Sequence, residues 1–341
     1  MTPAIERIKA GAPAAEVLNL AARRSLAYDF TVWFWGDAIA VDGLLEAAKL
    51  LGEDVYRQRV HKFCESWSRR PLSWPDHLAP GAALLDLGMK DSAVRLAKWL
   101  VAAPRSESGS PLYRPDLPPY RHTVWVDTLY HCPSFFAALA AAVQEDAWLN
   151  YALDEWFAHT AVLSSAAGPY LAHSYDAGAR TLHGYGWGRG CGWALLGMID
   201  TLELLPPKHA RRERAVHEAR ELAAALLQAQ DASGFWRTLL HDPEAYCETS
   251  TATFFGAAFT KGARLGLLPG EYREAAERAW QATLGRVTAD GSLFGVSACT
   301  YAGVANLEDS TMYKTLPTEV NVWGQGSLLR FAAERIRAEL R

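Results

Sequence analysis

The chain has 341 residues, 50% of them hydrophobic, with 34 Lys and Arg against 38 Asp and Glu. So even a balance excludes a phosphate backbone or an acidic lipid surface as the main partner, and no run of about 18 apolar residues exists to span a membrane. The length is enough for a large core and is read as one domain over residues 1–341.

Taken from the start, MTPAIERIKAGAPAAEVLNL carries acids and a proline but no continuous apolar stretch, which is not how a secretory signal reads. The cysteines, Cys64, Cys132, Cys191, Cys247 and Cys299, are odd in number and scattered. They are expected to be free thiols in a reducing compartment, so the protein is expected in the cytoplasm. None of them forms a zinc-spaced set with histidine and no HExxH is present, so neither metal nor cofactor is expected.

Helical periodicity dominates, and alternating β-branched runs are nearly absent. Two kinds of helix alternate. Segments 14–27, 55–67, 91–103, 146–163, 208–230 and 271–287 are amphipathic, with Arg and Glu between apolar residues at three- and four-residue steps, the pattern of helices with one wet face. The basic run KHARRER (208–214) opens one of these and reads as a solvated face. Segments 34–52, 75–88, 126–143, 186–205, 247–266 and 322–336 are instead rich in Ala, Gly and Leu and nearly uncharged, the pattern of helices buried all round. Six buried helices alternating with six amphipathic ones predict an all-α fold, an (α/α)6 barrel with an inner and an outer ring.

In such a barrel all inner helices begin at one end. Their heads carry Asp37, Asp76, Asp127, Arg189, Glu248 and Gln325, so polar loops should converge on one mouth, where helix N-termini favour a bound anion. The linkers 103–122 and 288–321 are long and rich in Pro, Gly and Ser, and should wall that mouth.

Asp127, in WVDTLYHCPSFF, stands out as an acid ringed by Trp125, Tyr130 and His131 at the head of an apolar helix. Pro133 suits the first turn of that helix, which would leave Asp127 too far upstream to serve as its cap. Asp76, in SWPDHLAPG, is a second carboxylate for the same mouth. Two such groups can divide acid and base roles when burial or repulsion raises one pKa. GYGWGRGCGW (184–193) is not a dinucleotide fingerprint, because glycine falls at every second residue and no strand is expected before it. It offers the rings of Trp187 and Trp193 and the Arg189 guanidinium, a group that can clamp a carboxylate. His173 is a polar candidate just upstream. Glu248 is either a helix-terminal acid or a rim ligand, and Trp35 and Asp37 carry the same ambiguity.

WVDTLYHCPSFFAALA, GWGRGCGWALLGMIDTL, ETSTATFFGAAFTKGARLGLLP and VWGQGSLLRFAAE, with WFWGDAIAVDGLL and PDHLAPGAALL, resemble the signature blocks of the unsaturated rhamnogalacturonyl hydrolases, glycoside hydrolase family 105. The resemblance spans about residues 30–336 in order. It implies an (α/α)6 barrel that removes a terminal 4,5-unsaturated uronic acid from oligosaccharides left by polysaccharide lyases. It implies Asp127 as general acid/base, Asp76 as its partner, and a sugar site lined by Trp125, His173, Trp187, Arg189 and Trp193. The chain departs from the family pattern at Cys191 and at Thr251-Ala252. An ordinary glycosidase, a sugar epimerase or a non-catalytic sugar-binding barrel are the rival readings. No nucleic-acid or membrane partner is expected, and the oligomeric state is not legible.

Overall fold

The computed structural model describes residues 7–9, 11–30, 35–73, 81–300 and 309–340. Six helices form a closed inner ring: α2 (Trp35–Leu51), α4 (Gly81–Asp86), α6 (Thr128–Val143), α8 (Gly188–Leu204), α10 (Thr249–Arg264) and α13 (Val322–Glu339). Each packs on the next, and α13 returns to α2. Outside them lie α1 (Ala14–Ser25), α3 (Asp54–Ser68), α5 (Lys90–Val101), α7 (Ala147–Leu163), α9 (Arg212–Gln228) and α11 (Glu271–Leu284). A short α12 (Asp309–Thr315) follows in the last long linker. The six-plus-six alternation expected from the sequence is the alternation observed, and most helix ends fall within a few residues of the expected ones.

The physical basis is burial. Every residue of α10 from Thr249 to Ala263 is buried, whereas α9 and α11 bury one stripe of Ala, Leu and aromatic residues. Small residues let the inner helices touch through their backbones. A Cβ on Gly326 of α13 would fall 2.5 Å from the Ala40 backbone nitrogen of α2. A Cβ on Gly197 of α8 would collide with the Leu129 carbonyl oxygen and fall 2.6 Å from the Tyr130 Cα, both on α6. Pro133 lies inside α6, and its missing N–H cannot serve that Leu129 carbonyl. The expectation that Pro133 opens the helix is therefore corrected: α6 starts five residues earlier, at Thr128, and the proline sits where a neighbouring backbone approaches. Gly197→Ala is expected to destabilise the protein by about 1–3 kcal/mol, read as a lower urea midpoint with an unchanged slope.

Strands were not expected, yet four small sheets occupy the loops. The one that matters joins β1 (Thr123–Trp125), β2 (Ser174–Asp176) and β3 (Thr181–His183) in the order β1-β2-β3. It is antiparallel throughout, with Trp125 opposite Ser174 and Ser174 opposite His183. A strand does precede the glycine-rich segment, contrary to the sequence reading. The long linkers are also structured. Linker 103–122 contains a turn of 3-10 helix at Pro118–Tyr120, and in the last linker β4 (Val296–Ser297) pairs with β5 (Thr318–Glu319).

At the far end of the inner ring the helices are tied by charge. Asp200 of α8 holds Lys261 of α10 and, at 2.8 Å, Arg330 of α13. Arg330 donates to the Tyr130 hydroxyl of α6 at 2.8 Å, and that hydroxyl donates to Asp42 of α2 at 2.8 Å. Glu203, Arg264, Glu334, Arg337 and Glu46 continue the chain of ion pairs back to α2. These groups line a cavity of about 430 Å3.

Candidate active site

The three-stranded sheet brings the candidate residues together. Its backbone ladder runs one step past the strands: the Val126 N–H donates to the His173 carbonyl at 2.9 Å, and the His173 N–H donates to the Gly184 carbonyl at 3.1 Å. Segments 123–127, 173–176 and 181–184, separated by up to about 60 residues in the chain, are thus held side by side. Asp127 and Trp187 follow directly on two of them.

Asp127 occupies the N-cap position of α6 but its side chain caps nothing. It is 4% exposed, and its Oδ2 has no hydrogen-bond partner among the described residues. His173 faces it, with Nε2 3.7 Å from that oxygen. Burial pushes the Asp127 carboxyl up to about 7, against the opposing pull of its own backbone N–H and of the Arg189 charge. A buried carboxyl that holds its proton near neutral pH, with one oxygen left open, is built to deliver that proton. His173 is 1% exposed, and burial, together with the Arg189 and His183 charges, holds its imidazole well below the usual pKa. It is therefore a neutral partner.

Aromatic rings close around this pair. The Trp187 ring lies against His173 at 3.9 Å between centroids, and Trp125 meets His173 edge-on at 4.6 Å. Trp125 is itself covered on one face by Tyr113, stacked at 4.3 Å, and meets Tyr120 edge-on at 5.5 Å. Both tyrosines come from the 103–122 linker, so that linker does wall the site. Asp127 charge and burial together push the Tyr113 phenol well above its ordinary value, burial being the larger cause. The Trp125 indole N–H donates to Thr123 at 2.9 Å.

Four expectations are corrected. Arg189, 1% exposed, donates at 3.0 Å to the carbonyls of Ser297 and Ala298 and pairs with Glu248 at 3.6 Å. Its charge is engaged by the protein, and it ties the last linker to α8 rather than presenting a free carboxylate clamp. Glu248 is the helix-terminal acid and not a rim ligand. It caps α10 through the Thr251 N–H at 2.9 Å and accepts from the Ser297 N–H at 2.7 Å, which satisfies a helix donor and a loop donor at once. Trp193 is fully buried among Tyr130, His131 and Phe254, in the barrel core and away from any open face. Gln325 likewise turns inward and holds the backbone of Gly291 and Leu293. Of the described helix heads, Asp127 is the one whose carboxylate is neither capping nor ion-paired to a base. Asp37 is half-buried in the first turn of α2. Asp76 and the Trp35 side chain lie outside the described residues.

Tyr113, Tyr120, Ser297 and Tyr313 were missed by the sequence reading. Tyr113 and Tyr120 carried a signal, as aromatics in a Pro-rich linker bound for the mouth. Ser297 and Tyr313 carried none, since each matters through partners on distant segments, Arg189 and Glu248 for the first and His173 for the second. Cys191 is buried with its thiol pushed up to about 12 by burial, so it stays protonated. Among the described residues no cluster of His, Cys, Asp or Glu could hold a metal ion.

An inner and an outer ring of six helices define an (α/α)6 barrel, here with a buried acid at one end of the inner ring. The chain belongs to Glycosyl Hydrolase Family 88, whose sequence profile matches residues 19–339. It is 26% identical over 345 residues to the unsaturated rhamnogalacturonyl hydrolase YesR of Bacillus subtilis (strain 168), covering 95% of each chain. Among solved structures it is similar to a possible member of the GH105 family from Salmonella enterica serovar Paratyphi A, with TM-score 0.84 and 20% identity over 95% of this chain and 93% of that one. The unsaturated glucuronyl hydrolase of Bacillus sp. GL1 superimposes with TM-score 0.71 and 15% identity over 94% of this chain and 95% of that one. At these identities the two structures speak for the fold.

Proposed function

We propose that this protein removes a terminal 4,5-unsaturated uronic acid from lyase-generated oligosaccharides, and that residues 1–341 act as one catalytic unit. The observation that carries the reading is Asp127: buried, protonated near neutral pH, and open at one oxygen. The substrate ring is an enol ether conjugated to a carboxylate. Asp127 donates its proton to C4, positive charge develops at C5 and the ring oxygen, and water adds at C5 as its proton returns to the carboxylate. The resulting hemiketal opens, C5 becomes a ketone, and the exposed hemiacetal at C1 releases the aglycone as an alcohol. Nothing attacks the anomeric carbon, so the carboxylate-spacing rule for ordinary glycosidases does not apply. Asp76 stands as the partner that positions the water.

Trp125, Trp187 and His173 line the space beside Asp127, and the neutral His173 offers a polar edge to a sugar hydroxyl. The last linker, anchored through Ser297, and the 103–122 linker with Tyr113 and Tyr120 then set which oligosaccharide is accepted. YesR and the Bacillus sp. GL1 enzyme, named for unsaturated rhamnogalacturonyl and glucuronyl substrates, support this substrate class. We place the protein in the cytoplasm, the compartment suited to five free thiols.

The deciding experiment follows the ultraviolet absorbance of the conjugated double bond across a panel of lyase-generated disaccharides. Loss of absorbance with release of the aglycone is expected. Hydrolysis of saturated glycosides with no action on unsaturated ones would overturn the reading. The pH profile is a second check. Asp127 must carry its proton, so kcat/KM should fall by about tenfold per pH unit above the pKa of that carboxyl, which lies at about 7.

A further inference from the structure

His173 is neutral, so one ring nitrogen carries a proton and the other does not, and the neighbours decide which. Nδ1 lies 2.6 Å from the hydroxyl of Tyr313 on α12, in a wholly buried contact. Nε2 faces Oδ2 of Asp127 at 3.7 Å, and neither of those atoms has a hydrogen-bond partner among the described residues. The chain makes room for this contact. Gly184 has φ +63°, and a Cβ there would collide with the Tyr313 hydroxyl and fall 2.8 Å from the His173 Cβ. Tyr313 also lies 6.0 Å from Trp187 between centroids, so it is part of the wall behind the imidazole.

We propose that Tyr313 is a positioning residue: its hydroxyl donates to Nδ1 of His173 and fixes the tautomer that turns Nε2–H toward Asp127. A phenol is the more acidic donor and an imidazole nitrogen the better acceptor, so O–H···N is the favoured sense of this short bond. The inference rests on Asp127 being the acid of the proposed reaction. When Asp127 gives up its proton it becomes a buried carboxylate with an open oxygen, and a fixed N–H aimed at that oxygen stabilises the new charge. The other tautomer would aim a lone pair at it. The same N–H is available to a substrate oxygen arriving between the two groups. Besides Tyr313, the charged or titratable groups among the described residues that bear on this pair are Arg189 from α8, His183 from β3 and Tyr113 from the 103–122 linker. None of them contacts Nδ1.

Tyr313→Phe removes the donor and keeps the ring. Freed from it, His173 can move its proton to Nδ1 and accept from a protonated Asp127, which favours the acid form. The alkaline limb of the kcat/KM profile should therefore move to higher pH, with kcat falling on the order of 10-fold or more and KM changing little. The tautomer is read directly from nitrogen-15 chemical shifts of histidine-labelled wild type and variant, with the His173 signal assigned by its loss in His173→Gln. Wild type should show a protonated Nε2 and a bare Nδ1, and Tyr313→Phe a mixture. A protonated Nδ1 in the wild type, or an unchanged tautomer and pH profile in the variant, would overturn the proposal. The wild-type spectrum needs Tyr313→Phe neither to fold nor to turn over, so it decides the tautomer even if the unsaturated disaccharides prove not to be substrates. That second result would count against the functional reading alone.

Discussion

Asp127→Asn should abolish turnover of unsaturated disaccharides, by about 1000-fold or more, while leaving the barrel intact. The amide keeps the shape of the carboxyl but has no proton to give to an alkene carbon. Binding should survive, because Trp125, Trp187 and His173 are untouched, so the variant should retain affinity for the substrate it no longer converts. Its stability should move the other way. The Asp127 pKa of about 7 lies above the ordinary 3.8, so the folded protein holds this proton more tightly than the unfolded chain does. The stability that comes with the neutral form is present below pH 4 and is lost as pH rises toward about 7. Above that the wild type carries a buried charge, offset only in part by the His173 N–H and the Arg189 charge, and the asparagine does not. The variant should thus be more stable than wild type by about 1–3 kcal/mol at pH 8, with the difference shrinking to little by pH 4. Turnover retained in Asp127→Asn would remove the acid from this residue. A loss of stability at pH 8 would mean that its open oxygen has a partner.

The second large effect lies at the other end of the barrel. Asp200→Ala should destabilise the protein by about 3–5 kcal/mol. Asp200 is buried and holds both Arg330 and Lys261, and its removal takes the paired carboxylate from the buried Arg330 and leaves Lys261 with Glu203. Burial opposes its ionisation, but Arg330 and Lys261 win and hold its carboxyl below 3.8. Its contribution is therefore complete above pH 3.8 and lost as pH falls through the lower, folded value. Urea midpoints at pH 7 and at pH 3 should show a large gap between wild type and variant at the first and a smaller one at the second. Turnover per folded molecule should hardly change, since Asp200 sits about 17 Å along α8 from Arg189. A fall in kcat without a fall in stability would mean that the ionic chain reaches the mouth. Asp42, in the same chain, is pushed up to about 6 by burial, only partly offset by Arg330 and Tyr130, so it acts in the opposite sense.

Much of the architecture was legible because burial leaves a mark on composition. A helix such as 249–264, wet on no side, must be written in Ala, Gly, Thr and Phe, and one such as 212–228 must alternate Arg and Glu with Leu. The alternation of the two kinds requires two rings. What was not legible is where polar side chains spend their hydrogen bonds. Arg189, Glu248 and Gln325 looked like ligands because they stand at helix heads beside glycine and tryptophan. In the folded chain they answer backbone groups of residues 291–298, which lie up to about 108 positions away. Trp193 looked like a sugar platform because it shares a motif with Trp187. One helical turn and a half separates them, which is enough to put one ring at the mouth and the other in the core.

By itself, then, the sequence determined the ring of helices and singled out Asp127, because an acid at the head of an apolar helix is costly unless it serves a purpose. Only the tertiary structure decided what makes that acid work. The strands that set Asp127 beside His173 are three residues each, too short to show any period, and they exist because residues 125, 174 and 183 meet in space. The raised pKa comes from burial, and the rings of Tyr113, Trp125 and Trp187 that pack around this corner are drawn from separate segments of the chain. The hydroxyl of Tyr313 reaches His173 across 140 positions, through a gap that Gly184 leaves open. Periodicity is a local property that a sequence can display, whereas desolvation and hydrogen-bond partnership belong to the folded molecule as a whole.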